Sequence, residues 1–267
     1  MKTILLADCT DLLPAGETAP VAKPMIEVAG RPVITRVMDI YSRFGYTDFI
    51  VSTCHKALEV KQFFTNYHLM ANDVRVSIDT GKVELRPTHG AGWTVSVVDT
   101  GLYNSSSGQL RMLRDWVGNE TFMVSYADGL GNIDIQALID FHYSHGKLAT
   151  VTAVRPPARL GGLELRNNRV TSFSNRLHSH DAWINGGFFV FEPSVFDYLT
   201  DDQEPLESSP MSQLSLDGEL MAMRHFGFWH PMDTLNDRRI LSRYCMADIP
   251  PWLDFAPPHL RPVMHGQ

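Results

Sequence analysis

The hydrophobic pattern of this chain alternates between short apolar runs and stretches of helical period. Residues 1–7 are a brief apolar run that reads as a buried strand, and a polar loop follows it as far as Lys23-Pro24-Met25. Residues 25–28 read as extended and Gly30-Arg31-Pro32 as a turn. Over 32–44, Val33, Ile34, Val37, Met38, Ile40 and Tyr41 recur at helical spacing between Pro32, suited to a first helical position, and Gly45, suited to the stop. Residues 48–53 predict a strand and 58–67 a second helix. This βαβα order makes a parallel sheet with right-handed crossovers the default.

Further along, 74–79 and 93–100 predict strands, with 81–92 between them as an irregular loop on the substrate side. Helical spacing returns over 109–117. A strand over 122–127 then stops abruptly at Asp128-Gly129, and 133–145 predicts the next helix. A carboxylate at the carboxyl end of a buried strand points into the crevice where such folds bind ligands. From 149 the pattern becomes β-rich: a strand over 149–155, a hairpin of 163–166 and 170–173 around Asn167-Asn168, and a strand over 184–191. These three predict a lobe over the sheet. Helices over 194–199 and 212–220, a short strand over 226–229 and a last helix over 237–244 complete the domain, and prolines mark the tail after Trp252.

Composition narrows the class. At 267 residues the chain can bury a substantial core as one α/β domain; its 44% hydrophobic and 20% charged residues are ordinary for a globular protein. A net charge of -7 disfavours nonspecific binding to nucleic acid or to an anionic membrane, so any phosphate site must be local. No apolar stretch is long enough to cross a bilayer, and the run after Lys2 is too short for a signal-peptide core, so a cytoplasmic location is expected. Cys9, Cys54 and Cys245 are scattered, which predicts reduced thiols and no structural zinc.

Four motifs carry the chemistry: Lys23-Pro24-Met25, Tyr126-Ala127-Asp128-Gly129, Ile184-Asn185-Gly186-Gly187-Phe188-Phe189-Val190 and Gly227-Phe228-Trp229-His230-Pro231-Met232-Asp233-Thr234. Together, with Val98-Asp99-Thr100-Gly101, they resemble the glucose-1-phosphate cytidylyltransferases, sugar-phosphate nucleotidyltransferases, from Met1 to about Trp252. The resemblance implies a Rossmann-like nucleotide-diphospho-sugar transferase fold, with a mostly parallel sheet and a β-rich sugar-side lobe. It further implies transfer of a nucleotidyl group from CTP to a sugar 1-phosphate with loss of pyrophosphate. By the same resemblance Asp128 and Asp233 match metal-binding carboxylates suited to Mg²⁺. Lys23 matches a lysine that offsets phosphate charge, and Asn185, Gly186 and Gly187 match the sugar-phosphate pocket. The partners implied are a nucleoside triphosphate, a sugar phosphate, and other copies of the chain or a related subunit.

The departures fall where the nucleotide should lie. The family's first loop reads Gly-Gly-x-Gly-Thr-Arg, whereas Asp8, Cys9, Asp11, Leu12 and Leu13 fall on its glycines, threonine and arginine. A carboxylate about 4 Å from a phosphate charge costs on the order of 4 kcal/mol at an effective dielectric near 20. Losing one donor oriented at developing charge costs about 3 kcal/mol more. Near the base, Ser106-Ser107-Gly108-Gln109 stands for the family's Thr-Gly-Gly-Arg, so Gly108 and Gln109 are candidate substrate contacts. Asn175-Arg176-Leu177 stands for Glu-Lys-Pro, where Arg176 keeps the charge but not the shape of the lysine. Two functions follow: an active transferase, or a catalytically inactive relative that serves as a sugar-phosphate-binding or regulatory subunit.

Blander readings stand beside these. Asp233 is equally placed to cap the last helix, and Asp8 and Asp11 to make a solvated turn. The cluster His178-Ser179-His180-Asp181 lacks assignable partner ligands for a metal.

Overall fold

The computed structural model describes residues 1–7, 11–12, 21–54, 56–86, 92–102, 104–155, 162–166, 169–174 and 183–255; for 11–12, 162–166 and 169–174 the backbone alone is described. Seven strands form the central sheet: β1 (Thr3–Leu6), β2 (Asp48–Thr53), β3 (Thr94–Asp99), β4 (Phe122–Tyr126), β5 (Ala149–Val154), β6 (Ile184–Phe191) and β7 (Leu220–Arg224). Their order is β7-β5-β6-β4-β1-β2-β3. All run parallel except β6, which is antiparallel to β4 and β5. The chain winds outward from β1 through β2 to β3, then returns to β4 on the other side of β1. The carboxyl ends of β1 and β4 therefore flank the reversal of strand order, the crevice where open α/β sheets bind ligands.

The strands are legible as apolar runs because helices cover both faces of the sheet. Leu5, Phe49, Val51, Met123, Phe188 and Val190 pack on one side against α1 (Val33–Ser42), α4 (Ile135–His145) and α6 (Leu235–Tyr244). The intervening residues Ile4, Ile50, Val124, Phe189 and Phe191 pack on the other against α3 (Ser106–Met112) and α5 (Ser209–Leu216). Between β2 and β3 lies α2 (Ala57–Thr65). Asp134 caps α4 by accepting a hydrogen bond from Ala137 N at 2.9 Å, and Gly146 ends it with φ 63°.

Several elements differ from the pattern-based expectation. The strands at 149–155 and 184–191 belong to the central sheet; of the expected lobe only the hairpin Gly162–Arg166/Arg169–Ser174 stands apart from it. The helix expected over 212–220 ends at Leu216: Gly218 at φ 71° stops α5, and Leu220 instead opens the edge strand β7, where pairing with β5 overrides the helix preference of Leu-Met-Ala-Met. Within the expected loop 81–92, Val83–Arg86 pairs with Asp73–Val76 in an exposed hairpin outside the sheet. Trp229–Pro231, rather than 226–229, forms the short strand before α6.

Trp252 is fully buried, and the chain stays packed as far as Phe255, whose ring meets Phe44 edge-on at 5.1 Å. Cys54 is disulfide-bonded, against the expectation of reduced thiols, while Cys245 is free. No helix among the described residues is long and apolar enough to cross a membrane.

Candidate active site

Two loops with distant sequence positions are zipped together at the carboxyl end of β4. Gly129–Gly131 pairs antiparallel with Trp229–Pro231, and Met232 N donates to Asp128 O at 2.9 Å. A Cβ on Gly131 would lie 3.1 Å from both Phe228 O and Trp229 Cδ1, so glycine permits this close pairing. The pairing carries the Asp128 and Asp233 carboxylates to one place. The cap of α6 is Thr234, in a reciprocal capping box with Asp237, so the alternative of Asp233 as the helix cap is not what forms.

Lys23 meets these carboxylates from the opposite wall. It begins a 3-10 turn, Lys23–Met25, directly after Val21–Ala22, whose backbone pairs with Asp11–Leu12. Its Nζ lies 2.5 Å from Asp128 Oδ2 and 3.2 Å from Asp233 Oδ1. The lysine is 8% exposed. Among the described residues this ammonium faces two carboxylates, and it meets Asp128 in a shielded place, where charge interactions are stronger than in water.

The two carboxylates, Asp128 and Asp233, border a cavity of about 450 Å³ whose walls include Ala7, Gln109, Tyr126, Asn185, Gly187 and Trp229, with Lys23 held behind them by its contacts to both. At the start of β6, Asn185 Oδ1 accepts from Gly187 N at 2.8 Å, and Trp229 Nε1 donates to Gly186 O at 2.8 Å. Both glycines have a packing reason. A Cβ on Gly186 would meet Val154 Cγ1 at 2.6 Å and Thr152 O at 2.9 Å; on Gly187, at φ 75°, it would meet Tyr126 Cδ2 at 2.7 Å. The Tyr126 hydroxyl is buried without a hydrogen-bond partner among the described residues. Such a group is costly unless a ligand or water completes it.

On the opposite side, Gln109 is buried in α3 and accepts from Ser52 Oγ at 2.6 Å, which in turn lies 3.0 Å from Thr100 Oγ1. This polar network ties the carboxyl ends of β2 and β3 to the cavity wall. Gly108 does not line the cavity. A Cβ there would stand 2.5 Å from Asp202 O, so this glycine lets the loop before α5 cross α3. Ser105 Oγ holds the same loop through Asp202 O, at 3.0 Å, and Glu204 O.

The structure thus brings together Lys23, Asp128, Asp233, Asn185, Gly187 and Gln109, with Gly186 in the same wall. Arg176 and the cluster at 178–181 lie outside the described residues, as do positions 8–10 and 13 of the altered loop. Tyr126 and Trp229 are functional candidates that site assignment from sequence missed, although both stand inside quoted motifs. A larger cavity, about 590 Å³, lies between the Glu27–Pro32 turn and the helices around Glu59 and Tyr67, away from the carboxylates.

The carboxylates suit a hard divalent cation. Among the described residues no group of three or more His, Cys, Asp or Glu side chains could hold a metal. Mg²⁺, however, is commonly held by one or two carboxylates, with water and substrate phosphate completing its shell.

Comparison with known proteins agrees in sequence and fold. Residues 16–223 match a family described as nucleotidyl transferase. A glucose-1-phosphate cytidylyltransferase of Salmonella typhimurium is 39% identical over 253 residues, 94% of this chain and 98% of that one. A probable glucose-1-phosphate cytidylyltransferase of Bacillus subtilis is 34% identical over 235 residues, 88% and 92% of the two chains. Among solved structures, HddC from Yersinia pseudotuberculosis has a TM-score of 0.65 at 15% identity, covering 91% of this chain and 98% of that one. A UDP-glucose pyrophosphorylase complexed with UDP-glucose has a TM-score of 0.63 at 14% identity, covering 92% and 98%.

Proposed function

The chain belongs to the nucleotidyl transferase family, and from that premise we propose that it transfers a cytidylyl group from CTP to a sugar 1-phosphate, releasing pyrophosphate. The observation that carries this reading is the convergence of Lys23, Asp128 and Asp233 at the point where strand order reverses.

In this reaction an oxygen of the sugar phosphate attacks the α-phosphate of CTP in line, and pyrophosphate leaves. Positioning and charge stabilisation, rather than covalent catalysis, supply most of the rate. Asp128 and Asp233 would hold Mg²⁺, which when bound offsets charge on the phosphate oxygens. Lys23 contributes a fixed positive charge at the same place, already oriented by its two carboxylate contacts. Arg176 is assigned a second phosphate contact by its match to the family's lysine. Asn185, Gly187 and Tyr126 face the sugar side, where the Tyr126 hydroxyl can bond a sugar hydroxyl. Gln109 faces the base side, and Trp229 fixes the backbone of Gly186 against the cavity.

The retained trio favours this reading over an inactive relative, because a protein that only bound sugar phosphate would not require paired carboxylates beside the nucleotide phosphates. Association between copies of the chain is part of the same proposal: Val76, Ile78 and Val83 are exposed on the hairpin outside the sheet, and a partner surface would cover them. Size-exclusion chromatography of the purified chain tests that association; a monomer contradicts it.

The test of function is pyrophosphate release in the presence of Mg²⁺ and glucose 1-phosphate with each of four ribonucleoside triphosphates. Release with CTP above the other three is expected. No release with any of them would return the chain to the sugar-phosphate-binding alternative.

A further inference from the structure

A second recognition surface continues the cavity outward from Asn185. Ala153 of β5 pairs with Asn185 of β6 on one side and with Arg224 of β7 on the other. Residues directly opposite one another in a sheet point to the same face, as do residues two apart along a strand. Asn185, Ala153 and Arg224 therefore share the face that carries the cavity. Arg224 stands two strand spacings, about 10 Å, from Asn185.

Four side chains form a cluster there. The Arg155 guanidinium lies over the Trp183 ring at 5.1 Å and the Phe226 ring at 5.8 Å, and the Arg224 guanidinium lies over Trp183 at 5.5 Å. Trp183 and Phe226 meet edge to face at 5.3 Å. Both arginines are exposed, as is Phe226 at 73%. Among the described residues neither guanidinium has a carboxylate partner or donates a hydrogen bond, and ring contacts are what they make. Stacking occupies the faces of a guanidinium and leaves its N–H edges available, the geometry that binds carboxylate or phosphate bidentately. In a chain of net charge -7, two such arginines on one tryptophan, beside a sugar-side wall, form a local anion-attracting site.

We infer that Arg155, Arg224, Trp183 and Phe226 recognise a second anionic group on the sugar phosphate, at the end remote from its 1-phosphate. The preferred acceptor is then a sugar 1-phosphate carrying a further carboxylate or phosphate, with the aromatic rings supporting the apolar face of the sugar. This inference rests on the transfer reading of the adjacent cavity and deepens it.

The experiment is calorimetric titration of the full chain, with Mg²⁺, by glucose 1-phosphate, glucuronic acid 1-phosphate and glucose 1,6-bisphosphate. One anionic sugar is expected to bind about tenfold or more tightly than glucose 1-phosphate, the size of one charge-assisted hydrogen-bonded contact, and which one does so separates carboxylate from phosphate. Arg224→Gln and Arg155→Gln should lower affinity for that ligand more than for glucose 1-phosphate, and Arg224→Lys should lose less than Arg224→Gln. Equal affinity for all three ligands, no binding of any, or a variant that shifts only thermal stability overturns the inference. Pyrophosphate release with glucose 1-phosphate on the same preparation tests the transfer reading separately: release without discrimination among the sugars overturns only the second site.

Discussion

Lys23 Nζ sits 2.5 Å from Asp128 Oδ2, joining the turn that follows the first strand's loop to the carboxyl end of β4 across the crevice. The pair is mostly buried, with side chains 10% and 16% exposed. Removing one partner of such a pair leaves an uncompensated charge. Asp233 adds a second contact at 3.2 Å from a side chain that is 46% exposed, so it is the more solvated carboxylate of the two.

Replacing either carboxylate with its amide leaves Lys23 the other as a partner, so it should damage catalysis more than folding. Asp128→Asn and Asp233→Asn keep the backbone bond from Met232 N to Asp128 O and the Thr234 capping box. Loss of charge stabilisation of this kind costs on the order of 10²–10³ in turnover. Pyrophosphate release, compared with circular dichroism of the same variants, measures the two effects apart.

Tyr126→Phe separates substrate recognition from stability. The wild-type hydroxyl is buried and has no hydrogen-bond partner among the described residues, so removing it should leave stability unchanged or slightly raised. If the hydroxyl bonds the sugar, KM for the sugar phosphate should rise about tenfold, the typical worth of one hydrogen bond. Thermal denaturation and steady-state kinetics check the pair of outcomes.

Gly186 and Gly187 of the cavity wall should be intolerant of alanine for reasons internal to the protein. Gly186→Ala forces a methyl against Val154 and the carbonyl of Thr152, and Gly187→Ala adds a positive φ to a clash with Tyr126. Overpacking of this kind costs about 1–3 kcal/mol, which should lower Tm by several degrees. Differential scanning calorimetry reads the shift.

Stability should fall as pH drops below histidine's ordinary 6.5. Burial lowers the pKa of His142, whose ring meets Thr150 Oγ1 at 2.8 Å and Glu192 Oε1 at 3.2 Å. Burial, then the neighbouring His142 and Lys147, lowers that of His145. A depressed folded-state pKa means that the unfolded chain binds more protons in the interval, so stability is complete above the unfolded value and declines as pH falls through the folded one. Urea midpoints between pH 8 and pH 5 should decline, and His142→Gln should reduce the slope.

Much of this arrangement is written locally in the chain. The β1 and β4 strands read directly from Ile4-Leu5-Leu6 and Phe122-Met123-Val124, because parallel strands buried on both faces are uninterrupted apolar runs. Asp128 was legible for the same reason, as the polar residue where such a run stops. The position of β7 was not, since Leu220-Met221-Ala222-Met223 favours a helix in isolation and becomes a strand only by pairing with β5. Nor could sequence alone assign Gly108 to packing against Asp202, a contact that depends on a loop far along the chain. The Arg155–Trp183–Arg224 stack has the same origin: its members come from three strands or their flanks, and no local motif announces it.

The measurement that tests nucleotidyl transfer most directly is ³¹P NMR of CTP and glucose 1-phosphate incubated with the chain and Mg²⁺. The account predicts loss of both substrate signals, with a pair of mutually coupled resonances from a new diphosphate diester and a signal from pyrophosphate, and predicts that Asp128→Asn suppresses all of these changes. Unchanged spectra, or hydrolysis of CTP without a sugar-linked diphosphate, would contradict it.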